Sequence, residues 1–417
     1  MENKKAKTNL KSLIIVAVLA VLVVVAIVVA VISSKGNDVP AGSNGDIDNT
    51  ASSNVNDDTD NTPDSTKTPE NTNSPEQTGT PEQTGDESVD TTKSEDDTPT
   101  PPANQTFYNP LTGLECSEEI SKQRPVAIMI NNINVALPQE GVSKADIVYE
   151  CLAEGGITRL LMLSQDYKSL GNVGSIRSAR DYYLDLAQNH DAIYFHSGGS
   201  PKAYSEIPAR KIDNCDGAVL TGSTPQTFFR DPWRLQNYAF EHTLMITGQG
   251  IANAINIRKY RSELNETFNN PMDFAEEKIT LSGSDAKCVY LPFSYSYAPY
   301  LKYDNTSNTY KRWQFNKPHA DKDGTQLEFD NIIILFCAHT GPLDSSGHID
   351  ITTTGTGDGY YVTGGKYVSI KYYKGNINAP MELKNADGTP LEINKGKTYI
   401  AIFNTANKGS INFNYDK

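Results

Sequence analysis

The sequence predicts an α+β protein: a single transmembrane helix and a disordered tether, then an N-terminal α/β mixed-sheet domain, then a mainly antiparallel β domain. Three observations carry this expectation. An uncharged apolar run, Leu13 to Ile32, follows a lysine-rich start. The stretch from Ser34 to Gln105 is almost entirely polar residues, glycine and proline. Beyond it, apolar runs alternate with glycine turns and helix starts, and then give way to short tyrosine-rich strands.

Residues 1–12 carry Lys4, Lys5, Lys7 and Lys11 against Glu2 alone, the charge bias of a cytoplasmic tail. Residues 13–33 form the expected span, since about 20 apolar residues at roughly 1.5 Å each cross the hydrocarbon core. The run is longer than the roughly 7–15 apolar residues of a cleaved signal peptide. The folded part is therefore expected to be extracytoplasmic, on a single-pass anchor in the cell membrane. No cysteine lies near the span to accept a lipid.

Residues 34–105 are the linker. PEQTG occurs twice, at Pro75–Gly79 and Pro81–Gly85, and the composition cannot bury enough apolar surface to offset ordering entropy. Of the net charge of −14, −13 lies here and +3 in the first twelve residues, which leaves −4 from Thr106 onward. The acidity thus belongs to a tether whose flexible reach is about 50 Å root-mean-square.

The α/β domain is expected over 106–281. Val126–Ile130 is a continuous apolar run of the kind that forms a strand buried on both faces, and Asn131 and Asn132 follow at its carboxyl end. Ala145–Cys151 and Ile157–Leu163 flank Gly155-Gly156 as a hairpin. Glu150 would face away from Tyr149 and Cys151, with Arg159 as partner for Glu150 or Glu154. Ser178-Ala-Arg-Asp181 reads as a cap before a helix of about eleven residues. Ala192–Phe195 is a buried strand, after which Ser200 caps a helix beginning at Pro201. Thr224-Pro225 is a further helix start, and Gly250–Arg261 can form a helix. From 282 to 417, hairpins turn at Asp304–Asn308, Gly364-Gly365 and Asp387-Gly388. The five cysteines are an odd number without CxxC spacing, so at most partial pairing is expected.

Chemistry concentrates between Gly171 and Pro201. Two helix starts, preceded by Gly174 and by Ser197-Gly198-Gly199-Ser200, would expose unpaired N–H groups to an anion. Arg177, Ser178, Arg180 and Asp181 lie at the first, and arginine can grip an anion bidentately. Arg159, Asn131, Asn132, Arg230, Asp231, His319 and Asp321 complete the candidate binding residues. The competing reading pairs the arginines with Asp181, Glu150 or Glu154 in salt bridges. Glu150, Glu154 and His196 are the candidate acid–base groups for a glycan hydrolase or lyase. GxSxG is absent, and His319, His339 and His348 lack tight ligand spacing, so neither a serine hydrolase nor a metal or other cofactor is expected. Tyr295, Tyr297, Tyr300, Tyr303, Tyr310 and Trp313 could stack on sugars, although such residues more often form core and sheet surface. No basic stripe suits nucleic acid.

The segments RPVAIMINN (Arg124–Asn132), ADIVYECLAEGGITRLL (Ala145–Leu161), VGSIRSARDYYLDLA (Val173–Ala187) and HSGGSP (His196–Pro201) resemble the YerB-like bacterial cell-surface family. So do FFRDPWR (Phe228–Arg234), PHADKDGTQLEFDNIIILF (Pro318–Phe336) and the Thr354–Gly359 turn. The resemblance implies a surface-anchored protein in two parts, and it implies no activity. Family members are commonly lipoproteins, a pattern from which the anchor here departs; Leu235-Gln-Asn-Tyr also stands where a Pro-His-Asn-like segment is expected. The leading expectation is a protein that binds an anionic envelope polymer, muropeptide or acidic glycan. The alternatives are a hydrolase or lyase of that material and a non-catalytic scaffold; the oligomeric state is left open.

Overall fold

The computed structural model describes residues 105–220 and 227–416. The tail, the expected span and the linker up to Asn104 lie outside these residues, as does the helix start at Thr224-Pro225. Among the described residues no helix is long and apolar enough to cross a membrane.

A twelve-stranded sheet forms the centre. The first segment contributes β1 (Val126–Asn131), β2 (Ile147–Leu152), β3 (Thr158–Ser164), β4 (Ile193–His196) and β5 (Asn214–Asp216). The second contributes β6 (Ser284–Asp285), β7 (Asn331–Thr340), β8 (Asp350–Thr352), β9 (Gly355–Thr363), β10 (Lys366–Lys374), β11 (Glu382–Asn385) and β12 (Thr398–Asn404). The order is β6-β10-β9-β7-β12-β2-β3-β1-β4-β5, with β8 on β7 and β11 on β10. A separate five-stranded sheet includes the hairpin of Tyr300–Asp304 and Thr309–Gln314.

The second segment pairs antiparallel, as expected, apart from Glu392–Ile393, which runs parallel to Asp273–Phe274, and one strand that organises the fold. Strand β12 runs parallel to β7 and parallel to β2. The strand nearest the chain's end is thereby the seam between the two segments. The boundary expected near Ser282 separates them in sequence, and one sheet crosses it.

Burial explains the unalternating strands. All six residues of β1 are buried. Ile128, Ile130, Val148, Met162 and Phe195 face one core, while Ala127, Met129, Tyr149, Leu161 and Tyr194 face another on the opposite side. Two covered faces remove the pressure for polar residues at alternate positions. Glu150 is the buried acid of these strands, and it lies across the sheet from Tyr149 and Cys151, as the alternation predicts.

That carboxylate is wholly buried and forms an ion pair of 2.6 Å with the equally buried Arg312, on the Thr309–Gln314 strand of the second segment. Glu150 Oε2 also accepts from Tyr399 of β12 at 2.5 Å. Its Oε1 accepts from Thr158 at 2.6 Å and Asn132 at 3.2 Å. Arg312 meets His319, whose other ring nitrogen meets Gln139. Two segments and three parts of the first chain half therefore converge on one charge pair.

Several local expectations need correction. The helix expected after Ser178 spans Asp181–Gln188, shorter than expected, and Arg180 rather than Ser178 occupies its N-cap position. Ser178 is unavailable because Ala179 lies in a parallel bridge with Gly199, which holds that segment extended. The helix expected at Gly250–Arg261 is Gly248–Arg258, capped by Thr247. All five cysteines are free thiols, so no disulfide forms. The Ser200 cap is as expected, its hydroxyl accepting from Ala203 N in the helix Pro201–Ala209.

Removing one partner of a buried ion pair strands the other charge without water. Arg312→Met is therefore expected to lower the unfolding free energy by about 3–5 kcal/mol, read by chemical denaturation. A change within experimental error would show that the pair does not hold the segments together.

Candidate functional site

Strands β1 and β2 both run antiparallel to β3, and β4 and β5 run parallel to β1. The carboxyl ends of β1, β2, β4 and β5 consequently share one edge with the start of β3. In open α/β sheets ligands bind at such an edge. It gathers Asn131, Glu154, Arg159, Arg177, Arg180 and His196, residues that lie far apart in sequence.

The edge has a sealed interior and an accessible rim. Asn131, Asn132, Glu150 and His196 are at most 1% exposed, so the carboxyl end of β1 is not open as expected. Asn131 Nδ2 lies 3.0 Å from His242 Nδ1, and Asn132 donates to Thr158 at 2.8 Å as well as to Glu150. His196 Nδ1 donates to the Gly198 carbonyl at 2.8 Å, and Nε2 lies 3.2 Å from Asn214 Oδ1. Glu150 and His196, two of the three acid–base candidates, have no face open to a substrate.

The two glycine turns do not form the N–H cradles expected of them. Gly174 belongs to the strand Asn172–Gly174, and its N–H donates to Glu140 O. Ile176 N donates to Leu244 O, Arg177 N to Met129 O and Ala179 N to Gly198 O. In the second turn Ser197 N donates to Arg177 O and Ser200 N to Ala179 O. Gly198 N is taken by Asp216 Oδ1 at 2.8 Å, and the other oxygen of that carboxylate accepts from Tyr204. Their donors knit the turns to each other because the turns act as the packing joint between helix and sheet.

Side chains form the rim: Glu154 and Arg177 are part-exposed there, with Arg159 and Arg180 buried behind them. Glu154 begins the 3₁₀ turn Glu154–Gly156 between β2 and β3. Arg159 donates to its carboxylate at 2.5 Å, and Arg180 engages both of its oxygens, one through Nε at 3.1 Å. The salt-bridge reading is therefore correct for Arg159 and Arg180, with Glu154 rather than Glu150 or Asp181 as the anion. Asp181 instead meets Lys202 at 2.9 Å. Burial alone would raise the Glu154 pKa, but the Arg159 and Arg180 charges outweigh it and the net shift is downward. Burial pushes the Arg159 pKa down, aided by the charges of Arg180 and Arg177 and opposed by Glu154. Three guanidinium groups thus share a local field, and Glu154 is the carboxylate paired with two of them.

Arg177 is the least committed of the three. It reaches the Glu241 carbonyl and carboxylate, both at 3.4 Å, and that carboxylate is 59% exposed. Ser178 follows Arg177 in the chain and Ser197 N donates to the Arg177 carbonyl; both serines are half-buried, and their hydroxyls make no hydrogen bond among the described residues.

The remaining candidates serve the architecture. Arg230 bonds Phe240 O at 2.6 Å and lies 3.8 Å over the Phe240 ring; Asp231 caps the helix Pro232–Asn237. Asp321 accepts from Val142 N and Ser143 N; burial raises its pKa and these donors pull it back. Burial and the Arg312 charge hold the His319 pKa well below the usual imidazole range, so the ring stays neutral. His339 and His348 bond Cys337 O and Asp344 respectively. No group of three or more metal-ligating side chains occurs among the described residues.

Arg312 and Tyr399 escaped the sequence reading. They lie 162 and 249 residues from Glu150, and no local pattern marks such partners.

This fold, with two segments meeting in one sheet, is that of a known family: the chain belongs to the family described as "Protein of unknown function (DUF3048)". Residues 111–261 match its N-terminal domain and residues 289–400 its C-terminal domain. Over 307 residues the chain is 31% identical to YerB of Bacillus subtilis (strain 168), covering 72% of this chain and 88% of that one. The crystal structure of the Bacillus subtilis YerB protein is similar with a TM-score of 0.62 at 28% identity, covering 71% of this chain and 96% of that chain.

The Glu154 shift fixes a sign. A carboxylate whose folded pKa lies below its unfolded value of about 4.3 stabilises the fold above that pH, and this stabilisation is lost as pH falls through the lowered folded value. Glu154→Gln is expected to remove this acid sensitivity. Denaturation midpoints measured from pH 7 to pH 3 should fall more steeply below about pH 4.3 for the wild type than for the variant; parallel curves would refute the assignment.

Proposed function

We propose that this protein is an extracytoplasmic envelope protein that binds an anionic group, phosphate or carboxylate, at the rim formed by Arg177, Ser178 and Ser197. The observation that carries the reading is the charge imbalance at the rim. Glu154 alone faces Arg159 and Arg180, and Arg177 beside them has only long contacts to a largely exposed carboxylate. A ligand anion would replace Glu241 at Arg177 and take up the free serine hydroxyls. Arg159 and Arg180, held by Glu154, would supply field rather than direct contact.

Two further observations support the location. The lysines before Leu13 favour an extracytoplasmic folded part, and the provisional name of the YerB relative is that of a lipoprotein. The hydrolase or lyase reading is weaker, because Glu150 and His196 are sealed and the lowered pKa of Glu154 keeps it from serving as a general acid near neutrality.

Arg177→Ala in the full-length protein is expected to reduce retention on isolated cell wall about tenfold, the equivalent of roughly 1.4 kcal/mol. Added salt should weaken wild-type retention in the same direction. Undiminished retention by a folded variant would reject the reading.

A further inference from the structure

Tyr295 is an anomaly on this surface. The flanking Phe293 and Tyr297 are 4% and 8% exposed, while Tyr295 between them is fully exposed at 105%. The loop that carries it is pinned. Ser294 Oγ donates to Gly156 O at 2.6 Å and accepts from Tyr297 N at 3.1 Å, while Ser294 N donates to Tyr297 O at 3.2 Å. Tyr297 packs edge-on against Phe315 with ring centroids 5.3 Å apart. A lone exposed aromatic is ordinary on a mobile tip; here both flanks are buried and the ring between them is presented.

The anchor point ties the loop that carries the ring to the turn that carries Glu154. Gly156 closes the same 3₁₀ turn that Glu154 begins, and Glu154 is the carboxylate that holds Arg159 and Arg180. Gly156 has φ of +73°, and a Cβ there would come within 3.6 Å of Ser294. The second segment thus docks its aromatic loop onto the turn that organises the arginines of the first.

A rigid tyrosine offers a broad apolar face with a polar end and loses little entropy on binding. The C–H face of a sugar ring is its natural complement, and a carboxylate on that sugar or its neighbour suits the guanidinium of Arg177. A polyphosphate chain would satisfy the arginine and leave the ring unused. We infer that the rim ligand is an acidic polysaccharide, with Tyr295 as the platform for a sugar ring and Arg177 as the carboxylate contact. This rests on the anion-binding reading above and narrows it to one ligand class.

The test uses full-length protein with two probes, a galacturonate oligosaccharide and inorganic polyphosphate. The inference expects the wild type to bind the uronate. Tyr295→Ala should weaken uronate binding about three- to tenfold and leave polyphosphate binding unchanged, Tyr295→Phe should restore uronate binding, and Arg177→Ala should weaken both. Uronate binding that is indifferent to Tyr295→Ala but lost with Arg177→Ala overturns the glycan inference and leaves the anion site standing. Binding of polyphosphate alone has the same meaning. Binding of neither probe, or indifference to Arg177→Ala, overturns both readings.

Discussion

The Glu150–Arg312 pair is the constraint on which this architecture turns. Both side chains are fully buried, and a charge removed from water is tolerable only where its partner and remaining hydrogen bonds are supplied in full. Strand β2 provides the carboxylate, the second segment provides the guanidinium, and β12 adds the Tyr399 hydroxyl. None of these elements can shift without exposing the others to an unpaired charge. Losing either charge alone would strand the other without water, and the arrangement the pair sits in is the parallel insertion of β12 against β2.

The same constraint sets the character of the rim. Once Glu150 is consumed internally and Asn131 and Asn132 are drawn in with it, the accessible chemistry of this sheet edge rests with the β2–β3 turn and the Arg177–Arg180 segment. Glu154, four residues from Glu150, then has a different task. It steadies two arginines near the surface, where its side chain remains 21% exposed. The backbone donors of the adjacent glycine turns are spent on joining Ala179 to Gly198 and Gly199, so side chains rather than helix ends carry whatever recognition the rim performs. The second segment participates through the Ser294 anchor on Gly156, which makes the rim a product of both halves of the family's fold.

Much of the local structure was legible. The buried strand after Pro125, the hairpin around Gly155-Gly156, the Ser200-Pro201 helix start and the Gly364-Gly365 turn all follow from interactions within a few residues. At Ser178 the local signal is overridden. Ser-Ala-Arg-Asp is an adequate cap in isolation, yet a bridge to Gly199 overrode it, because hydrogen bonds from outside the segment held the backbone extended. Arg159 was correctly paired with an acid, since Glu154 is near in sequence and the hairpin brings it back. The expected opening at Asn131-Asn132 failed because its cover comes from Gln139, Gln314 and His242, none of them announced by the strand.

By itself, then, the sequence determined which stretches become strands, where they turn, which faces they bury, and that arginines and acids crowd one edge. These are matters of period, propensity and short-range capping. Only the tertiary structure decided which carboxylate is sealed and which is presented, that β12 closes the seam, and that the loop carrying Tyr295 is pinned to Gly156. The alternation of a strand assigns Glu150 to a face but cannot say what covers that face. The answer lay 162 residues away in Arg312, at a separation where burial and charge pairing, rather than local geometry, choose the partner.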